Sequence, residues 1–451
     1  MIDAVSSLTP EIPARKGGSC RSLKRTLLCV GQRLLVRLLV VPILSFPVLV
    51  SSASAAPAEG FALHDRDVVV FYGDSITQAG GYCQFVEAYA RTRYPSWNLR
   101  FFNAGVGGDT VTGGGAGPIE TRLSRDVIDR KPTVVTVMLA MNDGRYVKFD
   151  PAREASFAAG YRSILARLSS ALPSARIYLI QSSPYDDVTR SPGFEGGYNQ
   201  VLVRMGEDVS AIAHDAHLGV VDFNAPVTRG VARVAAGNPA LARQILVDRV
   251  HPGPAGHLIM GATLLRAWNA PALVAEVQID GRDGRVIASE NAEVSGVKVA
   301  PASLEWTELD RALPLPISFT DGDTELAQAA GADIDSLDRE ELKVGGLSPG
   351  TYILTIDDRR IGVFSDAELG RGVDLAHYDT PMRWQAYQAR WGSDSSMGVQ
   401  RVRREVLASS PAVSGGTEGA DVLLRHDEKL QSERSLQLAP KPHRFVVAKG
   451  Q

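Results

Sequence analysis

Between Asp67 and about Ala270, short apolar runs rich in β-branched residues alternate with longer amphipathic segments. This alternation predicts a parallel β-sheet with helices on both faces, because each parallel strand needs a crossover connection to return the chain. The runs are too uniformly apolar to have a solvent-facing side, so we expect each strand to be buried on both faces. The predicted strands are Val68 to Tyr72, Leu99 to Asn103, Val134 to Leu139, Ile177 to Gln181 and Gly219 to Asp222.

The intervening segments carry apolar residues at three- and four-residue intervals, which places them on one face of an α-helix. One such stripe runs from Phe157 to Leu172, and a second runs from Leu202 to Ala216. A further helix is predicted to begin after Pro254 and to end near Trp268. The pattern therefore predicts an α/β fold in which helices cover a central parallel sheet, and we assign residues 56–275 to this domain.

The pattern changes after Pro271, where short alternating runs are separated by turn-forming Asp-Gly and Pro-Gly pairs. We interpret residues 276–365 as a β-rich accessory region. Residues 366–451 are predicted to be partly helical and to pack against the main domain. The Ser- and Gly-rich stretch from Ser409 to Ala420 within them is predicted to be a mobile loop.

Residues 1–55 have the pattern of an export signal. A basic stretch precedes the apolar run from Leu38 to Val50, which is too short to span a bilayer comfortably. Small residues follow, and Ala53-Ser54-Ala55 fits the pattern that signal peptidase cleaves. We predict cleavage after Ala55 and a periplasmic or extracellular location, with no stable membrane span in the mature chain. The alternative is an uncleaved N-terminal anchor.

Composition narrows the class of protein. A hydrophobic content of 44% and a charged content of 22% are typical of globular chains. Residues 1–55 hold seven of the 48 basic and two of the 51 acidic residues, so removing them leaves 41 basic and 49 acidic residues. Such an acidic protein has no electrostatic surface for nucleic acid or an anionic membrane. Of the three cysteines only Cys83 would remain, so no internal disulfide is expected.

A candidate nucleophile lies directly after the first predicted strand, in the motif Gly73-Asp74-Ser75. Open α/β sheets place their functional residues at the carboxyl ends of strands. A tripeptide of this kind is weak by itself, because a serine here could simply cap the next helix. Its interpretation depends on the motifs that follow.

Three further motifs lie at element ends in the same domain. The second motif follows the second strand, the third follows the third strand, and the fourth precedes the last helix. In order they are Asn103 to Asp109 (NAGVGGD), Met141-Asn142-Asp143, and Asp248 to Pro252 (DRVHP). Together with Gly73-Asp74-Ser75, their order and spacing resemble the SGNH (GDSL-like) hydrolase family over about residues 66 to 270. The resemblance implies a flavodoxin-like three-layer α/β/α fold and a serine esterase.

The resemblance implies a Ser-His-Asp triad, and each residue suits its implied role. Ser75 would attack the acyl carbon, which requires a base to take its proton. His251 is a suitable base, since imidazole titrates near neutral pH. Asp248 would orient the ring and stabilise the imidazolium. Asp74 and Asp143 are predicted to support neighbouring loops without a chemical step.

The resemblance also implies an oxyanion hole formed by the backbone N–H groups of Ser75 and Gly105 and the side-chain amide of Asn142. A residue without Cβ lets the backbone approach the substrate closely, and a neutral amide is a suitable donor. One departure from the family pattern is Ala140, directly before Met141. In the family, glycine more often stands at this position at the start of the third motif. This departure puts the local backbone and the pocket shape in doubt rather than the assignment.

Other candidate sites have simpler explanations. Gly113-Gly114-Gly115 is not followed by the Lys-Ser/Thr of a phosphate loop, so we expect a flexible rim. His214 and His217 are interpreted as a solvated helix face, and Cys83 as a packing residue. The tryptophans Trp306, Trp384 and Trp391 are interpreted as core or interdomain packing rather than sugar-stacking residues. No metal and no cofactor is predicted.

The sequence thus predicts an exported hydrolase of small-molecule or carbohydrate esters, with short acyl groups favoured. Hydrolysis of lysophospholipids or other lipid esters is the alternative within the enzyme class. A non-catalytic glycan-binding module is the alternative outside it, and the C-terminal half could serve as a docking domain on an active enzyme. The oligomeric state is not predicted.

Overall fold

The computed structural model describes residues 60–409 and 414–450, and the predicted export signal and its cleavage site lie outside these residues. A five-stranded parallel sheet with the order β2-β1-β5-β6-β7 organises the first half of the chain. Its strands are β1 (Val68–Gly73), β2 (Arg100–Gly105), β5 (Val134–Leu139), β6 (Arg176–Gln181) and β7 (Gly219–Asp222). The register pairs Gly73 with both Gly105 and Met138, so three strands end at one level.

Helices cover this sheet, and their buried residues follow the predicted stripes. They are α1 (Ser75–Ala79), α2 (Gly81–Arg93), α3 (Ile119–Arg122), α4 (Pro151–Ala171), α5 (Gly197–Asp215), α6 (Asn224–Ala235), α7 (Pro239–Ala242) and α8 (Pro254–Ala267). A short hairpin, β3 (Gly113–Gly114) and β4 (Gly117–Pro118), leads into α3. The predicted α/β/α architecture is confirmed, and each predicted strand agrees with the observed one to within two residues.

The second half of the chain forms two further β-sheets around a separate hydrophobic core. One sheet has the order β10-β11-β16-β13-β14 and the other β15-β12-β8-β9. Their strands are β8 (Leu273–Asp280), β9 (Val286–Glu290), β10 (Ala292–Ala300), β11 (Ser303–Asp310), β12 (Arg339–Gly345), β13 (Thr351–Ile356), β14 (Arg359–Ser365), β15 (Val373–Asp374) and β16 (His443–Lys449). The predicted β-rich accessory region is therefore present, and Trp306 is buried in its core against Phe445.

Two features of this half were not predicted. Helix α9 (Gly322–Ala330) interrupts the strands, and apolar side chains from 315 to 337 join the core of the parallel-sheet domain. Strand β16 pairs with both β11 and β13, although the α-helices α10 (Asp366–Arg371), α11 (Pro381–Ser409) and α12 (Ser414–Gln437) separate it from them in sequence. Both features depend on long-range packing that a local pattern does not encode. The prediction of a mobile loop from Ser409 to Ala420 is wrong over its described part, because Ser409 ends α11 and residues 414–420 lie in α12.

Helices α11 and α12 cover β2, the edge strand of the parallel sheet, with two buried glutamines. Gln400 accepts from the N–H of Asn103 (2.9 Å) and donates to the carbonyl of Phe101 (2.9 Å). Gln431 accepts from the N–H of Phe101 (3.1 Å) and donates to its carbonyl (3.3 Å). The two side-chain amides therefore replace a neighbouring strand and satisfy an edge that would otherwise be open to another chain.

None of the helices within the described residues combines the length and apolarity needed to cross a membrane.

Three carboxylic acids are buried in the second core, Glu308 and Asp310 on β11 and Glu340 on β12. The indole N–H of Trp306 donates to Glu308 (2.7 Å), whereas neither carboxyl oxygen of Glu340 has a hydrogen-bond partner among the described residues. Burial raises the pKa of Glu308 to about 7 and raises the pKa of Asp310 and Glu340 well above their usual values. Desolvation thus favours the neutral acids in the folded protein.

Because these pKa values are higher in the folded than in the unfolded chain, stability is highest below the unfolded pKa and falls as pH rises through the folded pKa. Replacing Glu340→Gln removes one group that must ionise. We expect the melting temperature at pH 9 to fall less from its pH 5 value than in the wild type, by roughly 2–6 °C. Thermal unfolding of Glu340→Gln and of the exposed control Glu293→Gln at both pH values measures this. An equal pH dependence in all three proteins would contradict it.

Candidate functional site

The turn from β1 into α1 presents Ser75 at the carboxyl edge of the sheet. Gly73 ends the strand, and a Cβ there would lie 2.2 Å from the Thr77 hydroxyl and 2.8 Å from the Met138 carbonyl, so only glycine fits. Asp74 caps α1 by accepting from the N–H of Ile76 (3.0 Å). Ser75 is the first helical residue and is half-buried, and its own N–H has no carbonyl to bond within the helix.

The fourth motif brings a histidine to this serine. Nε2 of His251 lies 2.9 Å from Oγ of Ser75, and Nδ1 lies 2.7 Å from Oδ2 of Asp248. The other oxygen of Asp248 accepts from the N–H groups of Val250 (3.1 Å) and His251 (2.7 Å), which folds the loop around the carboxylate. The structure therefore joins the hydroxyl of Ser75 to the imidazole of His251, 176 residues further along the chain, and through it to the carboxylate of Asp248.

The electrostatics of these three hydrogen-bonded side chains suit proton transfer. Partial burial acts to raise the pKa of Asp248, but the hydrogen bonds from His251 and Val250 outweigh it and hold the pKa below its usual value. Asp248 is therefore ionised when the imidazole gains a proton. The side chains of His251 and Asp248 are 41% and 55% exposed, so a substrate can reach the ring from solvent.

The loop of the fourth motif is held by a residue that the sequence analysis did not single out. Arg249 has a left-handed backbone (φ 80°). Its guanidinium donates to Asp187 (3.1 Å) and to the carbonyl of Ser191 (2.8 Å), and it lies 4.8 Å from the centre of the Tyr185 ring. Arg249 thereby fixes the segment between Asp248 and His251 to the neighbouring loop.

Gly105 does not occupy the predicted role, and this assignment needs correction. Its N–H donates to Oδ1 of Asn103 (2.9 Å), so it is already satisfied within the protein. A Cβ at this position would lie 2.3 Å from the backbone nitrogen of Gln78. Gly105 is therefore required for close packing of β2 against α1, and its donor is not directed at a substrate.

The loop beyond Gly105 passes the nucleophile. A Cβ at Gly107 would lie 3.9 Å from Cβ of Ser75, and the N–H of Gly107 donates to the side chain of Gln78 (2.6 Å). Gly108 is exposed, has a left-handed backbone (φ 76°), and its N–H has no partner among the described residues. The next residue, Asp109, is anchored by the fully buried guanidinium of Arg122 (2.7 Å). Gly108 thus carries a backbone donor that the described part of the chain leaves unsatisfied, and the residue before it is the one that passes Ser75.

Asn142 of the third motif is held at both ends of its amide. Nδ2 donates to the backbone carbonyl of Asp109 (3.1 Å), and Oδ1 accepts from the hydroxyl of Tyr146 (3.0 Å). Since the amide nitrogen carries two hydrogens, one remains for another acceptor. Tyr146 was not recognised from the sequence, because a tyrosine three residues after a motif carries no local signal.

Asp74 and Asp143 lie beneath the site. Asp143 accepts from the N–H groups of Val111 (2.9 Å) and Ala140 (3.1 Å), so it joins the loops of the second and third motifs. Burial raises the pKa of Asp74 to about 7 and that of Asp143 to about 6. Their hydrogen bonds are with backbone N–H groups, and their role as loop supports stays a prediction.

The remaining candidates lie away from this constellation. His214 and His217 are exposed at the end of α5, and Cys83 is buried in α2. The glycines at 113–115 belong to the β3–β4 hairpin and its turn. Trp384 is about half exposed and lies beneath Arg359, and the side chain of Trp391 lies outside the described residues. Within the described part of the chain, no group of three or more His, Cys, Asp or Glu side chains could hold a metal ion.

Comparison with known proteins identifies relatives of this domain. A model of the GDSL-like lipase/acylhydrolase family matches residues 71–259. An acetylxylan esterase of Geobacillus stearothermophilus is 25% identical over 222 residues, covering 44% of this chain and 92% of that protein. A solved structure of a gut microbial diltiazem-metabolizing enzyme has a TM-score of 0.75 at 24% identity and covers 86% of this chain and 98% of its own. The last likeness is one of fold, and it extends beyond the parallel-sheet domain.

Ala140 provides a test of backbone strain beside the site. Its φ of 122° is a conformation that favours glycine, and its side chain is buried. Strain of this kind costs about 1–3 kcal/mol, whereas glycine costs about 0.4–1 kcal/mol through the unfolded state. We therefore expect Ala140→Gly to stabilise the protein by about 1 kcal/mol in urea unfolding. The control Ala104→Gly, at a buried strand position of ordinary φ, should destabilise it. A loss of stability in Ala140→Gly would show that the strain is absent.

Proposed function

We propose that this protein hydrolyses carboxylic esters through an acyl-enzyme formed on Ser75, since residues 71–259 match a model of the GDSL-like lipase/acylhydrolase family. The observation that carries the proposal is the 2.9 Å contact between Nε2 of His251 and Oγ of Ser75. A hydroxyl at that distance from a neutral imidazole can transfer its proton while it attacks a carbonyl.

Acylation follows from these contacts. Oγ of Ser75 forms a bond to the acyl carbon as its proton passes to Nε2 of His251, and the carbonyl oxygen becomes an oxyanion. The ionised Asp248 stabilises the imidazolium and keeps Nδ1 protonated. When the tetrahedral intermediate collapses, the ester C–O bond breaks and the alcohol leaves with the proton from Nε2. Water then attacks the acyl-enzyme with His251 again as base, which releases the acid and restores Ser75.

The oxyanion is assigned three donors. The N–H of Ser75, at the start of α1, has no hydrogen-bond partner within the described part of the chain, and the N–H of Gly108 lies in the neighbouring loop. The third donor is the free hydrogen on Nδ2 of Asn142. Preset donors of this type need no reorganisation during the reaction, and losing one costs about 10²–10³ in turnover in serine hydrolases.

The substrate proposed is a short acyl ester, in particular an acetyl group on a carbohydrate. Similarity to an acetylxylan esterase supports this choice. The pattern of residues 1–55 also supports it, since an exported enzyme meets extracytoplasmic substrates. Lipid esters and glycan binding without hydrolysis are the alternatives that the experiments below separate.

Replacing Ser75→Ala should abolish hydrolysis of a short-chain chromogenic ester, by about 10⁴-fold or more in kcat, because no nucleophile remains. The fold should persist, and an unchanged thermal unfolding midpoint checks this. A fluorophosphonate probe should label wild-type protein and not Ser75→Ala. Wild-type protein that is folded but neither labelled nor active would favour the glycan-binding alternative.

The acyl specificity can be measured on acetylated xylooligosaccharides and on fatty-acyl esters of glycerophosphate. We expect kcat/KM for the acetylated sugars to exceed that for long-chain esters by about 100-fold, since unaccommodated methylene groups each cost transition-state binding. The same protein preparation and Ser75→Ala serve as reference and blank. A preference for long-chain substrates would instead indicate a lipid acylhydrolase.

A further inference from the structure

The hydroxyl of Tyr146 donates to Oδ1 of Asn142 at 3.0 Å. This contact is notable because Asn142 is an assigned oxyanion donor and Tyr146 has no part in the steps derived above. The tyrosine side chain is 42% exposed, so its ring lies at the surface of the site and its hydroxyl points inward to the amide.

The tyrosine is held in place by its surroundings. Arg145 and Tyr146 both have left-handed backbones (φ 55° and 57°), which turns the chain back after the third motif. The ring lies 4.9 Å from that of Tyr198 and 6.0 Å from that of Tyr185. Tyr198 is itself fixed, since its hydroxyl donates to the carbonyl of Met141 (2.6 Å). Non-glycine residues in such conformations persist where the surrounding structure over-determines them.

A primary amide can serve an oxyanion only in one of its two orientations. If the group of Asn142 were rotated by half a turn, its oxygen would face the developing negative charge and the carbonyl of Asp109. The contact of Nδ2 with Asp109 (3.1 Å) favours the productive orientation at one end. The contact of Oδ1 with Tyr146 favours it at the other, because a hydroxyl donor pairs with the amide oxygen.

On the premise of the proposed function, we infer that Tyr146 is a positioning residue, which fixes the amide of Asn142 with Nδ2 directed at the oxyanion. Donation to Oδ1 also polarises the amide and makes its remaining N–H a stronger donor, since linked hydrogen bonds reinforce one another. Tyr146 itself touches neither the acyl carbon nor the nucleophile in this role.

The protonation state of Tyr146 supports this role. Burial, followed by the nearby charges of Asp74 and Asp248, raises the pKa of the hydroxyl to about 12. The group therefore keeps its proton, and with it the donor, throughout the pH range in which a histidine base operates.

The test removes only the hydroxyl, by Tyr146→Phe. We expect kcat for a short-chain chromogenic ester to fall about 10-fold while KM changes less than twofold, because the lost interaction acts on the transition state. The rate of labelling by a fluorophosphonate should fall in parallel. The matched control is Tyr185→Phe, which removes a hydroxyl from the same aromatic cluster and should change kcat less than twofold.

A double-mutant cycle separates positioning from general support. In the Asn142→Ala background, Tyr146→Phe should produce no further loss of kcat, since no amide remains to orient. Thermal unfolding shows that each variant is folded. An unchanged kcat in Tyr146→Phe, an additive cycle, or a rise in KM with kcat preserved would each overturn the inference while leaving the esterase proposal intact. Absence of wild-type ester hydrolysis would overturn both.

Discussion

The strands of the parallel sheet end at its carboxyl edge. Backbone N–H groups beyond that edge have no neighbouring strand that could accept their hydrogen bonds. Short polar side chains accept these groups instead, and each does so within two or three residues of itself. Asp74 accepts from Ile76, Asn103 from Gly105, Asp143 from Ala140 and Asp248 from His251. The requirement that buried backbone donors be paired thereby shapes the loops of the first three motifs, and the same kind of hydrogen bond folds the more exposed loop of Asp248. The site is assembled from loops that are folded in the same way.

This shared device explains why the motif residues stay where the sequence pattern places them. An Asp or Asn that closes its own loop stays near the element it follows, so the sequence pattern placed Ser75, Asp248 and His251 at element ends. Their roles in a triad followed from the resemblance to the SGNH family. The strands could also be predicted from the sequence, because a run such as Val68 to Val70 is buried on both faces and is apolar for that reason. Gly105 shows where prediction from sequence failed. Glycine allows close packing as readily as it exposes an N–H, and only the partner atom, Oδ1 of Asn103, separates the two.

Features that depend on contacts between segments distant in sequence could not be predicted in this way. Gln400 and Gln431 lie on long amphipathic helices and have no local mark, yet their amides complete the edge of β2. Tyr146 gains its position from two consecutive left-handed residues, a conformation that the sequence Arg145-Tyr146 does not favour. The low-dielectric setting of Glu340 likewise arises only when β12 meets the second core. In each example, other segments of the chain determine the position or the environment of the side chain.

Strand β16 has a consequence for how the chain is made. It lies between β11 and β13, both of which leave the ribosome well before it. The nascent chain therefore presents two facing strand edges that nothing within the already synthesised segment pairs, and such edges recruit other polypeptides. Closure of this sheet must wait until β16 has been synthesised, so the second core is completed well after β11 and β13 have emerged.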